Sequence, residues 1–381
     1  MSERARIREG VLYCLKVFLA VRIGLFLLGY AAVSLLEARI VYSLPGWPQH
    51  AVTPGLHNVF TAFERQDALW YLKIAATGYR PGDGSAAFFP LLPLAIRGVS
   101  AAIGGHPFAA GLIVANLSFF GALCVLYFLT SSELSEPLAR KTVLYVSIFP
   151  AAFFFLAPYS EAPFLLLSVT AFWAARRGKW PAAGITGALA ALTRGVGLFL
   201  LPALAVEAVR QWRDKEGPLA WRLSWSAFVG AGTLAYLGYW NARSGDWLAP
   251  LRFQSNWQRV AMAPWTTLWR GTRIAFDSGG YFLLDWIIVV PMLVAAVFVV
   301  RRFRPAYGLY TWLCLLAPLG LVFPPRPLMS LPRFVLPLFP IFWVLAQETE
   351  RRRIPEALVV GVGAAGLGLL TVLFVNSYFV F

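Results

Sequence analysis

Within the stretch Phe63–Tyr79, the carboxylate of Asp67 precedes Trp70, Tyr71 and Ile74 at helical spacing. At about 3.6 residues per turn these four share one face of a short amphipathic helix. A carboxylate so placed, just outside a membrane, can take a proton from a hydroxyl while a lipid-carried substrate stays in the bilayer. The same carboxylate can instead pair with Arg65 or Lys73, or cap a helix on a solvated loop. A second acid, Glu161, follows Tyr159-Ser160, where Ser160 is a suitable N-cap for the apolar stretch 162–173. Asp83, in Pro81-Gly-Asp-Gly84, reads as a turn residue.

Several other chemistries lack their residues. His50, His57 and His106 have no metal-ligand spacing, and no HExxH or Asp-x-Asp acidic cluster occurs, so no metal is expected. Cys14, Cys124 and Cys314 lie in separate apolar runs and read as small core residues. A Walker loop is absent, as is a GxGxxG after a strand, and no cofactor is expected.

The elements that must position Asp67 are membrane helices. Of 381 residues 59% are hydrophobic and 13% charged, with a mean hydropathy of +0.66, which excludes a soluble domain. The runs 11–36, 108–130, 219–240, 281–300 and 357–379 are each near the roughly 20 residues that span a hydrocarbon core. They do not alternate with the period of two that a lipid-facing barrel requires. The first run is long and no small-residue cleavage site follows it, so it is expected to remain as an anchor.

The net charge of +15 sits in short clusters between these runs: Arg4/Arg6/Arg8, Arg140/Lys141, Arg176/Arg177/Lys179, Arg210/Arg213/Lys215, Arg301/Arg302/Arg304 and Arg351/Arg352/Arg353. Such clusters mark cytoplasmic loops and no nucleic-acid surface. Loop 37–85, the Tyr159–Glu161 turn, loop 243–280 and loop 324–333 then face the other side. The parity requires Phe88–Ile103, with Arg97 and nearby Pro81, Pro90 and Pro93, to be re-entrant or interfacial. It also requires two short helices to meet at Thr193-Arg194, where Gly184, Gly187, Gly195, Gly197 and Pro202 interrupt an apolar run. Loop 243–280 interleaves Arg252, Arg259, Arg270 and Arg273 with Trp247, Trp257, Trp265 and Trp269, as an interfacial aromatic belt does.

Ordered blocks along the chain carry a family resemblance. Asp67-Ala-Leu-Trp-Tyr-Leu-Lys-Ile-Ala-Ala-Thr-Gly-Tyr79 is followed by Phe88-Phe-Pro-Leu-Leu-Pro-Leu94, Ala157-Pro-Tyr-Ser-Glu161, and Ala190-Ala-Leu-Thr-Arg194 with Gly197. Pro250-Leu-Arg-Phe253 to Trp257, Ser330-Leu-Pro-Arg-Phe334 and Leu338-Phe-Pro340 complete the order. The chain resembles the PIG-V-type mannosyltransferases, bacterial relatives of the enzyme that adds the second mannose of GPI anchors. Gln66 stands where the family usually has Trp, and Gly195-Val196 where it often has Pro-Thr.

The resemblance implies an all-α integral membrane fold of GT-C type. The expected form is one polytopic domain over 1–381 with about ten to eleven transmembrane helices, a re-entrant or interfacial segment and an external catalytic loop, 37–85. It implies a polyprenyl-phosphate sugar as donor and Asp67 as the essential acid. Trp70 and Tyr71 would then stack on a sugar, with Tyr159 and Glu161 beside sugar or acceptor. Glu161 can alternatively orient Arg194. For the donor phosphate, Arg333 is the first candidate, since it begins an apolar span after the loop Phe323–Pro332 and its fork fits phosphate oxygens. Arg194 is the second, because an arginine at a broken membrane helix is costly without a partner.

The expected activity is inverting transfer of mannose from polyprenyl-phosphate-mannose to a lipid-linked or envelope acceptor hydroxyl. It would occur on the extracytoplasmic side of a multi-pass bacterial plasma-membrane protein whose N-terminus is cytoplasmic. The alternatives are a GT-C transferase of another hexose, or a flippase for a lipid-linked sugar. A transporter would more often show broken helices in two matching halves, and no such symmetry is visible in the sequence.

Overall fold

A computed structural model of the protein describes residues 3–36, 43–47, 55–214, 217–253, 257–378 and 380. The expectations for His50, Lys215, parts of the first external loop (37–42 and 48–54) and residues 254–256 lie outside the described residues. The helices, in chain order, are α1 (Glu3–Leu35), α2 (Asn58–Thr61), α3 (Asp67–Thr77), α4 (Leu91–Ala102), α5 (Pro107–Glu133) and α6 (Glu136–Ser147). They continue as α7 (Glu161–Arg176), α8 (Trp180–Thr193), α9 (Leu200–Arg213), α10 (Leu219–Ser244), α11 (Ala249–Arg252) and α12 (Pro264–Ser278). The last are α13 (Gly280–Arg302), α14 (Pro305–Gly320), α15 (Leu331–Val335), α16 (Phe339–Glu350) and α17 (Glu356–Val375). Two short strands, β1 (Val260–Ala261) and β2 (Leu321–Val322), pair antiparallel with Val260 opposite Val322.

Among the described residues, four helices are long and apolar enough to cross a membrane: α1, α5, α13 and α17. The expected run 219–240 forms α10, whose 26 residues carry Trp, Ser and Arg and so fall short of the other four in hydropathy. The segment expected to be re-entrant contains α4, only 12 residues long, or ~18 Å at about 1.5 Å per residue, too short to span. Loop 243–280 is largely helical, a correction to the sequence reading. Its charged and aromatic residues mix at short range and hide α12, whose Thr267, Gly271 and Ala275 form a buried stripe at spacing four.

The chain divides into two compact units that interleave in sequence: Met1–Gly78, Leu92–Leu166 and Leu345–Val380 form the first, and Tyr79–Leu91 with Leu167–Val344 the second. In the first unit α1 packs on α5, α6 and α17. The basic clusters gather at one end there, where Arg140 bonds Glu9 and Glu136, and Lys141 reaches Glu350 at 2.9 Å and Glu356 at 3.1 Å. At the other end of α17, the Val375 carbonyl accepts from Arg65 Nε at 3.0 Å. A helix of 20 residues separates these ends by ~30 Å, the thickness of a hydrocarbon core.

The second unit also gathers basic residues at one end. Glu207 near the end of α9 meets Arg176 at 2.8 Å and Arg304 at 3.7 Å, so three basic clusters share one end. From Arg304 the chain runs up α14 to Gly320, whose carbonyl is held by the Met262 amide at 3.0 Å. Helices α8, α9 and α10 pack closely in this unit. Gly232 lies so near the Ala188 carbonyl that an added Cβ would sit 2.1 Å from its oxygen.

Candidate active site

The acid-bearing helix α3 belongs to the first unit and begins at Asp67. It is not the exposed amphipathic helix that its spacing suggests: every residue from Ala68 to Ala75 is buried. Helical spacing sets Leu69 and Leu72 on one side of α3 and Trp70 and Tyr71 on another, and Asp67 is partly exposed at the N-terminal tip. An acid there is favoured by the partial positive charge of a helix N-terminus.

Long-range bonds fix both ends of α3. Before Asp67, Arg65 is 2% exposed and donates to the carbonyls of Val375, Glu64 and Thr61. Burial pushes its guanidinium down to about 10, opposed by the neighbouring Glu64 charge. The Tyr159 hydroxyl donates to the Arg65 carbonyl at 3.1 Å. Gln66 has φ 51° and ψ −120°, a strained backbone for a residue with a Cβ, and its side-chain amide donates to the Tyr378 carbonyl at 3.2 Å. At the C-terminal end Arg97 donates to the carbonyls of Ala75 at 2.6 Å and Ile74 at 3.4 Å. That contact explains an arginine in the otherwise apolar α4, since a cation is favoured where helix carbonyls lack amide partners.

Trp70 and Tyr71 are 6% and 5% exposed, and Tyr159 and Glu161 are fully buried. Tyr71 donates to the Ser160 hydroxyl at 3.1 Å and its ring meets Tyr159 edge-on at 6.5 Å. Trp70 packs beneath the Lys73 ammonium, which donates to the Pro45 carbonyl at 3.0 Å. Glu161 is the first residue of α7, and the Ser160 carbonyl accepts the Phe164 amide at 3.0 Å. The first unit thus joins α3, which carries Asp67, Trp70 and Tyr71, to the Tyr159–Glu161 turn through Tyr71 and through the Tyr159 bond to the Arg65 carbonyl.

The arginine candidates belong to the second unit. Helix α8 stops at Thr193, Arg194 is extended at φ −154° and ψ 142°, and a tight turn over Gly195–Phe199 leads into α9. This is the break expected from the glycines. Gly197 permits it by close approach: an added Cβ would lie 2.5 Å from the Ala190 carbonyl atoms. Arg194 is buried, with its guanidinium 4.8 Å from the centroid of the Phe334 ring. Phe334 directly follows Arg333, so the two candidate stretches meet. Arg333 does not open a membrane span, as the sequence suggested. It lies in the five-residue α15, and the chain turns again before α16, because Pro337 and Pro340 break the apolar run.

Residues not singled out in the sequence hold these stretches. Arg326 forms a two-pronged ion pair with Asp285 at 2.6 and 2.8 Å, both buried, and ties the turn before α15 to α13. The available signal was the acid itself, inside the apolar run 281–300. On the other side of the same turn, Gly271 of α12 admits Leu328 against its backbone. The Phe88-Phe-Pro90 block is held by Tyr236, whose hydroxyl reaches the carbonyls of Ala86 and Phe88 at 2.9 and 2.8 Å, and by Tyr79 to Phe88 at 2.7 Å. Phe89 lies against Gly195. Asp83 forms the expected turn, its carboxylate accepting the Ser85 amide at 2.8 Å. Among the described residues no three His, Cys, Asp or Glu side chains gather as a metal set.

The family model described as mannosyltransferase (PIG-V) matches residues 12–212, more than half of the chain. The chain belongs to the PIG-V mannosyltransferase family. Its fold is that of the GT-C membrane glycosyltransferases. ArnT from Cupriavidus metallidurans bound to undecaprenyl phosphate superposes with a TM-score of 0.51 at 16% identity, over 95% of this chain and 76% of ArnT. ArnT in the apo state gives the same values. The archaeal oligosaccharyltransferase AglB from Archaeoglobus fulgidus, in complex with an inhibitory peptide and a dolichol-phosphate, matches at 13% identity and a TM-score of 0.45, over 95% of this chain and 56% of AglB. No curated protein sequence matches. This PIG-V family member is therefore a multi-pass membrane glycosyltransferase.

Proposed function

We propose that this family member transfers mannose, with inversion, from polyprenyl-phosphate-mannose to a hydroxyl of a lipid-linked or envelope acceptor on the extracytoplasmic side. The observation that carries the reading is the position of Asp67, at the tip of α3 and about one hydrocarbon thickness from the basic clusters at the opposite end of α17. The positive-inside rule favours a cytoplasmic place for those clusters, and this supports an external Asp67. ArnT, which shares the fold, was determined with undecaprenyl phosphate bound, and this supports a polyprenyl-phosphate carrier.

In the proposed reaction Asp67 takes the proton of the acceptor hydroxyl as its oxygen bonds the anomeric carbon. The bond from that carbon to the phosphate oxygen breaks, and polyprenyl phosphate leaves. Arg333 and Arg194 hold the phosphate as its charge grows. Tyr71 and Tyr159, bonded to Ser160 and to the Arg65 carbonyl, keep the acid-bearing turn in place. Glu161 and Trp70 complete the wall on the sugar and acceptor side. No cofactor or metal is assigned a role.

The test is to incubate purified protein with radiolabelled polyprenyl-phosphate-mannose and acceptor lipids. The expected result is a mannosylated product matched by free polyprenyl phosphate, with no dependence on a gradient. Movement of intact donor across a vesicle wall without product would favour a flippase, and product from a glucose-bearing donor alone would change the sugar.

A further inference from the structure

The basic end of the second unit contains a recess that the transfer reaction does not use. Between α9 and the start of α14 lies a cavity of about 420 Å³, lined by Ala205, Val206, Val209, Pro305 and Ala306, with Arg210 and Arg213 also in its wall. That volume is in the range of small-molecule sites, about 300–1,000 Å³. Arg210 and Arg213 lie one turn apart on α9 and share a face. Both are exposed, and neither makes an ion pair among the described residues.

The acid that shares the recess wall does not neutralise them. Glu207 also lines the recess, but its carboxylate is 1% exposed and already engaged by Arg176 at 2.8 Å, Gln211 at 3.0 Å and Arg304 at 3.7 Å. The recess therefore combines an apolar trough with two uncommitted guanidinium groups at one end. Trp212, between them in sequence, is half-exposed, as is usual for an indole at a membrane interface. Along α9, which starts at Leu200 beyond the turn at Arg194, Arg210 lies ten residues on, or ~15 Å. The recess is thus a different place from the proposed phosphate-binding arginines.

We propose that this recess binds an anionic phospholipid, with the lipid phosphate held by Arg210 and Arg213 and an acyl chain lying along Ala205, Val206, Val209 and Pro305. Charge complementarity selects an anionic headgroup over a zwitterionic one, and the apolar trough selects a lipid over a free anion. Membrane-adjacent arginines attract anionic lipid by about 1 kcal/mol each, so loss of both weakens binding about thirtyfold.

The experiment uses the full-length protein in nanodiscs of phosphatidylcholine, with and without phosphatidylglycerol. Lipid retained by the protein is quantified after washing. Wild type is expected to enrich phosphatidylglycerol over its bulk fraction. Arg210→Gln with Arg213→Gln should lose that enrichment, while mannosyl transfer measured in phosphatidylcholine discs stays unchanged. Both side chains are exposed, so the double variant should fold. Val206→Trp, which fills the trough but keeps both arginines, should also lose the enrichment. Equal retention of both lipids by wild type, or enrichment that survives either variant, would overturn the proposal. Displacement of the retained lipid by millimolar inorganic phosphate would also overturn it, since the site would then be one for free anions.

Discussion

Replacing Asp67 by Asn separates the chemistry from the fold with little ambiguity. The side chain keeps its size and loses its charge and basicity. Asp67 is the first residue of α3 and partly exposed, and loss of a charge at a helix N-terminus costs about 0.3–1 kcal/mol. The bonds that hold the turn, from Arg65 to Val375, from Tyr159 to the Arg65 carbonyl and from Gln66 to Tyr378, involve other groups and survive. A lost general base costs about 10²–10⁴-fold in turnover, or about 2.7–5.4 kcal/mol of barrier. The barrier effect exceeds that helix-end contribution several-fold. The assay pairs turnover with labelled donor against a thermal unfolding midpoint in the same detergent. Asp67→Asn should unfold within a few degrees of wild type, bind donor normally and turn over at least a hundred times more slowly. Near-normal turnover in a folded variant would refute Asp67 as the base. A collapse of stability would refute the claim that the turn stands without it.

Arg333→Lys should weaken transfer without abolishing it, because charge survives while the planar fork is lost, and Arg333→Ala should also weaken donor binding; donor affinity and turnover for both variants decide this. Asp285→Asn leaves Arg326 buried without its partner and should cost about 3–5 kcal/mol of stability, whereas Asp285→Leu with Arg326→Met should recover most of it; unfolding midpoints of the three variants check the pair. Gly197→Ala forces a Cβ onto the Ala190 backbone and should destabilise by about 1–3 kcal/mol; an unchanged midpoint would show that the break at Arg194 is not held by that approach. Exhaustive EDTA treatment should leave transfer intact, and loss restored only by manganese or magnesium would reveal a ligand set that the sequence pattern does not show.

Some features were decided by local sequence alone. Apolar run length and the grouping of basic residues are sums over neighbouring positions, so the membrane class and the pairing of ends were readable without a fold. The basic clusters do gather within each unit, around Glu207 in one and around Lys141 in the other. The break at Arg194 and the turn at Asp83 were also legible, because Gly, Pro and Asp act on their own backbone. The ordered blocks identified the family, and Asp67 lies on a helix as the spacing of its neighbours implied.

Burial was decided elsewhere in the chain. Trp70 and Tyr71 look like an exposed aromatic face, yet both are buried, and Tyr71 meets the turn at Tyr159-Ser160 some ninety residues away. The acid-bearing turn is tied to Val375 across 310 residues and Arg326 to Asp285 across 41. Helix α12 was hidden in a stretch that reads as loop, since contacts such as Gly271 with Leu328 and Thr267 with the Leu319 carbonyl show which face is inside. Periodicity describes one element's own faces. Which of those faces meets protein, lipid or water depends on partners that only the tertiary structure supplies.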